Sequence, residues 1–149
     1  MTRGSIDLKI VRDRLRLVAQ SVEDLRALPH TSLEEFIADR RNILAADAAL
    51  RRGLEAIFDV ARHLLAKGLG IGSLEYREVA RETVGNGLVS DAALGQRMIE
   101  MAGYRNRLTH HYDEVTSEEL FGIVAHDLED LVRLADALRD AAANLSGAS

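Results

Sequence analysis

The sequence predicts an all-α fold: a compact up-and-down bundle of four main helices with one short additional helix. Three observations predict it. Apolar residues recur at alternating three- and four-residue steps along most of the chain, the period of a helix that buries one face. Leu, Ala, Arg and Glu dominate and Pro29 is the single proline, a mix that loses little freedom in helices. The periodic runs are separated by Pro29, by Gly68-Leu69-Gly70-Ile71-Gly72 and by Gly85-Asn86-Gly87, and glycines suit helix C-caps and turns.

Taken in order, Leu8, Val11, Leu15, Val18, Val22 and Leu25 predict a first helix over roughly residues 5–28, ended near Pro29. Ser32 and Glu35 then form a capping box. From there Ile43, Ala46, Leu50, Leu54, Ile57, Ala61 and Leu64 predict a single long helix to about Lys67, with a bend near residues 39–42. A short helix follows over roughly residues 74–84. Ser90-Asp91 caps a fourth main segment whose stripe runs Leu94, Met98 and Met101. Thr116 and Glu119 form another capping box before a last helix with Leu120, Val124, Leu128, Leu131, Ala135, Leu138 and Ala142 on one face. Residues 146–149 read as a frayed tail.

The 149 residues fit one domain over residues 1–149, and a hydrophobic fraction of 47% can fill its core. Net charge is -5, from 19 basic and 24 acidic residues. That argues against a broad electrostatic nucleic-acid binder, but not against an enzyme gripping one or two phosphates. Cysteine is absent, which removes disulfides and thiolate zinc sites. No apolar run has the length of a membrane span, and residues 1–9 lack the apolar stretch of a secretory signal. A cytoplasmic location without membrane association is expected, and no cofactor.

The chemistry concentrates in Arg105-Asn106-Arg107-Leu108-Thr109-His110-His111-Tyr112. Continuing the stripe of Leu94, Met98 and Met101 by the same steps reaches Arg105, Leu108 and Tyr112. Arg105 therefore stands where an apolar side chain belongs, and must be paired or face a cleft. Its planar guanidinium suits phosphate, and an imidazole such as His110 titrates near neutral pH. Around an ideal helix Arg105 and His110 lie about 140° apart. A sideways sweep of the Arg, local unwinding near His110, or a second subunit could unite them. Asn106 shares a face with His110 and could orient the ring. Against this stands an ordinary structural role, since Arg and His are favoured at helix C-termini. Adjacent positions such as His110-His111 point about 100° apart on a helix, so no metal site is expected there.

The Arg-x4-His-x-Tyr spacing resembles the signature of HepT toxins within the HEPN superfamily. So do the Arg-Asn opening, the short loop into a last helix, and the run Ile57-Phe58-Asp59-Val60-Ala61-Arg62-His63 before the Gly-rich turn. The resemblance implies a HEPN-like homodimer, for which the three–four alternation also offers a helical seam. It implies a metal-independent ribonuclease toxin in which the RNA 2′-hydroxyl attacks its neighbouring phosphorus. Arg105 and His110 would be catalytic, Asn106 supporting. It further implies a partner antitoxin, an MntA-like nucleotidyltransferase that silences the toxin by AMPylation (adenylylation) of Tyr112. The rival reading is a non-catalytic HEPN module that binds a nucleotide or partners a nucleotidyltransferase. Among other residues, His63 suits the end of its helix, His30 and His126 read as surface residues, and Asp39 and Asp47 are carboxylates that could orient the site.

Overall fold

Helix caps and apolar stripes set the architecture seen in a computed structural model, which describes residues 5–72, 75–110 and 115–147, with only the backbone of His110. Helix α1 (Leu8–Arg26) is capped by Asp7, whose carboxylate accepts from the N–H groups of Lys9 at 3.0 Å and Ile10 at 3.3 Å. Ser32 caps the short α2 (Leu33–Ala38), its hydroxyl accepting from Glu35 N–H at 3.2 Å as the capping box requires. Helix α3 (Arg40–His63) runs on through a π-helical turn, Leu64–Gly68. Then come α4 (Tyr76–Gly85), α5 (Ala92–His110), α6 (Ser117–Gly122) and α7 (Leu128–Gly147).

One expectation about continuity is corrected. The helix anticipated from Ser32 to Lys67 is two helices, because Asp39 is extended (φ -123, ψ 113) and caps α3 instead of continuing α2. Its carboxylate accepts from Arg41 N–H at 2.9 Å and from the Arg41 guanidinium at 2.8 Å. Asn42 donates to the Phe36 carbonyl at 3.1 Å, and Phe36 is fully buried with its ring 5.7 Å from that of Phe121. The break thus goes with burial of Phe36 against Phe121. The last helix is continuous but not uniform. After the Thr116 cap, α6 passes into α7 through a second π-helical turn, Ile123–Asp127. The bundle therefore has α1, α3, α5 and α7 as its long members, with α2, α4 and α6 as short ones.

Helix α3 is the central element. It packs on α1, α4, α5, α6 and α7, and Leu54, Ile57, Phe58, Val60 and Ala61 are buried along it. Gly53 lets α1 approach closely: a Cβ there would sit 3.0 Å from the Ser21 Cβ. After α3, Gly70 takes a positive φ of 73°, a conformation glycine adopts without strain. The reversal lays α4 across α3 and α5. Within the described residues, no helix is long and apolar enough to cross a membrane.

Candidate active site

Helix α5 presents its last three turns between two different neighbourhoods. On one side, Arg105 leaves the apolar stripe and packs between Glu55 of α3 and Tyr76 of α4. Its side chain is only 14% exposed, and one guanidinium nitrogen donates to Glu55 of α3 at 3.3 Å. The guanidinium carbon lies 4.0 Å from the centre of the Tyr76 ring, within the range where the ring face attracts a cation. Arg62 of α3 approaches the same ring, at 4.9 Å. Phe58 packs edge-on to it, with centroids 5.3 Å apart at 67°. Asp59, one position beyond Phe58, has its carboxyl pushed up by burial, with Arg14 and Arg62 opposing that shift and Glu55 adding to it.

On the other side, Arg107 grips Glu119 of α6 with two parallel hydrogen bonds, each 2.9 Å. This hydrogen-bonded guanidinium holds the Glu119 carboxyl below its usual range. The pair fastens the end of α5 to the last helix. Next to it, Tyr104 lines a cavity of about 390 Å³ with Leu50, Leu54, Met101, Ile123 and His126. The Tyr104 hydroxyl is buried without a hydrogen-bond partner, and burial raises its pKa. Arg105 is not among the residues lining that cavity.

Arg105, expected to be paired or cleft-facing, is paired, with Glu55. Asn106 is half-buried, one turn before His110 and on its face. Helix α5 remains regular through His110, so Arg105 and His110 keep their separation of about 140° around the axis. Unwinding ahead of His110 is thereby removed as a way to join them. The side chain of His110 and all of His111 and Tyr112 lie outside the described residues.

The carboxylates that could orient the site from α3 are placed elsewhere. Asp39 is the α3 cap, and Asp47 pairs with Arg51 one turn away at 3.0 Å. The acidic partner of Arg105 is instead Glu55, and its aromatic partner is Tyr76. Neither was legible in the sequence. Glu55 adjoins the buried stripe beside Leu54, a weak signal, and Tyr76 meets Arg105 across two helices, α4 and α5. His63 serves structure, its Nε2 accepting from Asp7 N–H at 2.9 Å. His30 likewise folds back on the Leu28 carbonyl at 3.0 Å. Among the described residues, no group of three or more His, Asp or Glu side chains is placed to hold a metal ion.

The chain is similar in sequence and fold to known proteins. The sequence model of the family described as Ribonuclease HepT-like matches residues 18–138. A tRNA nuclease HepT from Aphanizomenon flos-aquae (strain 2012/KM1/D3) is 24% identical over 125 residues, which is 84% of each protein. The fold matches the tri-AMPylated Shewanella oneidensis HEPN toxin solved in complex with MNT antitoxin, with TM-score 0.77, 21% identity, and 88% and 97% of the two chains covered. It also matches the crystal structure of a toxin–antitoxin with AMP-PNP, with TM-score 0.76, 20% identity, and 87% and 97% covered. With a family match over residues 18–138, most of its length, this chain belongs to the family described as Ribonuclease HepT-like.

Proposed function

We propose that this protein is a metal-independent endoribonuclease, the toxin of a toxin–antitoxin pair, with Arg105 and His110 as its catalytic groups. The observation that carries the reading is Arg105 itself. A permanently charged fork, mostly buried and held between a carboxylate and an aromatic ring, stands five residues before a histidine on the same helix. The family match and the tRNA nuclease relative support RNA as the substrate class.

In the reaction, the 2′-hydroxyl oxygen attacks the adjacent phosphorus and gives its proton to a base. The bond from phosphorus to the 5′-oxygen breaks, and that oxygen takes a proton from an acid. A 2′,3′-cyclic phosphate and a free 5′-hydroxyl result. His110 serves as base or acid, a role that contributes about 10²–10⁴-fold. Arg105 stabilises the charge that builds on the phosphorane oxygens. Two proton transfers from one imidazole per subunit favour a homodimer, in which two copies of the motif face one cleft. Asn106, on the face of His110, orients the ring.

Tyr112 is assigned as the residue that a nucleotidyltransferase partner modifies. The Shewanella oneidensis toxin, AMPylated and bound to an MNT antitoxin, supports that mode of control. A phosphate-bearing group beside His110 would engage Arg105 and fill the cleft.

Cleavage of tRNA by the purified protein in EDTA tests the enzyme. His110→Ala and Arg105→Ala are each expected to abolish it, with unchanged helical content. Normal cleavage by a folded His110→Ala protein overturns the assignment. Tyr112→Phe is expected to stay folded and to escape AMPylation, and AMP found on another residue of that variant refutes the role of Tyr112.

The Glu55–Arg105 pair favours one alternative, since it already balances the arginine's charge. In that reading the chain is a non-catalytic HEPN module that binds a nucleotide or a nucleotidyltransferase. A tight complex with such a partner, without cleavage of any RNA, would establish it.

A further inference from the structure

We infer that Tyr76, at the start of α4, is a positioning residue for Arg105. The inference rests on the catalytic reading of Arg105 given above.

Four observations converge on it. Tyr76 is the first residue of α4 and stacks under the Arg105 guanidinium at 4.0 Å. Among the described residues, the buried Arg105 Nε has no hydrogen-bond partner, and the one acceptor of its guanidinium, Glu55, holds only the tip of the fork, at 3.3 Å. One long hydrogen bond leaves a guanidinium free to rotate about it. A ring face restricts that freedom, because attraction to the quadrupole is greatest with the cation over the ring centre. The ring is in turn fixed, with Phe58 set edge-on against it and Arg62 at 4.9 Å from its centre.

Chain geometry supports the same conclusion. The π-helical turn Leu64–Gly68 ends α3, Gly70 reverses the chain at positive φ, and α4 begins with the tyrosine. The Gly-rich segment, which has neither the lysine nor the strand of a phosphate loop, thus acts through the residue it delivers. A guanidinium that must meet a phosphorane gains from being aimed beforehand, since misplacement by about 1 Å can cost about 100-fold in rate.

Aromatic character at position 76 is what the test must isolate. Turnover and KM on tRNA are measured for Tyr76→Leu and Tyr76→Phe, alongside Arg105→Ala. Tyr76→Leu keeps bulk and apolarity without the π face; kcat is expected to fall about 10- to 100-fold with KM nearly unchanged. Tyr76→Phe, which keeps the ring, is expected to restore most of that loss. Should the leucine variant not fold, phenylalanines of increasing ring fluorination at position 76 preserve shape while draining the quadrupole, and kcat is expected to fall stepwise along them. In parallel, the Arg105 Nε–H proton resonance is expected to show a ring-current shift in the parent that vanishes in Tyr76→Leu.

A folded Tyr76→Leu protein with parental kcat, or a fluorinated series with constant kcat, overturns the positioning role while leaving the ribonuclease reading intact. Normal cleavage by Arg105→Ala removes both. A parent that cuts no RNA but retains the resonance shift overturns catalysis and reduces the Tyr76 contact to a packing interaction.

Discussion

Between α1 and α3, side chains meet by shape. Val11, Leu15, Val18, Val22 and Leu25 are each at most 4% exposed, and Gly53 lets the two backbones approach where Ser21 passes. Over the last turns of α5 they meet by charge and ring face: Arg105 with Glu55 and Tyr76, Arg107 with Glu119. The first seam gains by removing apolar surface from water, about 1.5–3 kcal/mol for each large side chain. The second gains little stability, since partly exposed ion pairs contribute about 0–1 kcal/mol, but it fixes direction. The difference shows where this molecule can hold a reactive group. Stability is concentrated around α3, so α5 can present a cation that a purely stabilising design would replace with leucine.

Mutation can break this contrast. Leu25→Ala, on the α1 side of this seam, is expected to cost about 2–5 kcal/mol of unfolding free energy by urea denaturation. A cost below about 1 kcal/mol would mean that the seam is not where stability resides. At the end of α5, Arg107→Ala is expected to cost at most about 1 kcal/mol by the same measurement. A larger loss would make the Arg107–Glu119 pair a structural member on the scale of the seam.

The smallest effect sharpens the picture at the end of α3. Burial holds the His63 pKa below its ordinary value, with Asp7 opposing and Lys67 reinforcing the shift. The neutral ring accepts the Asp7 N–H. With the folded pKa under the unfolded value of about 6.5, this contribution is complete above about pH 6.5 and is lost as pH falls through the folded pKa. His63→Gln is therefore expected to flatten the decline in stability between pH 7 and pH 5. An unchanged slope would place the acid-sensitive groups elsewhere.

Much of the contrast was legible beforehand, for physical reasons. A buried stripe is a property of one helix, so Val11 to Leu25 and Leu120 to Ala142 could be read from period alone. Capping is equally local, and Ser32, Asp91 and Thr116 each accept from the predicted turn. Arg105 was conspicuous because it interrupts a stripe. Its partners were not, because Glu55 and Tyr76 are separated from it by 50 and 29 positions, respectively, and pairing at that range depends on how helices cross. The break at Asp39 was missed in kind rather than place. Periodicity continues across it, while the reward for breaking, a buried Phe36 against Phe121, is tertiary.

The two π-helical turns, Leu64–Gly68 and Ile123–Asp127, bear on how this sequence can change length. Such a turn accommodates one residue more than the α-helical turn it replaces, usually at a functional position. Deleting a single residue there would let the coil tighten to its common form, with the flanking faces still aimed inward. The same deletion within α1 would rotate every later side chain of that helix by about 100°. Tolerance of one-residue indels should accordingly cluster at these two wide turns.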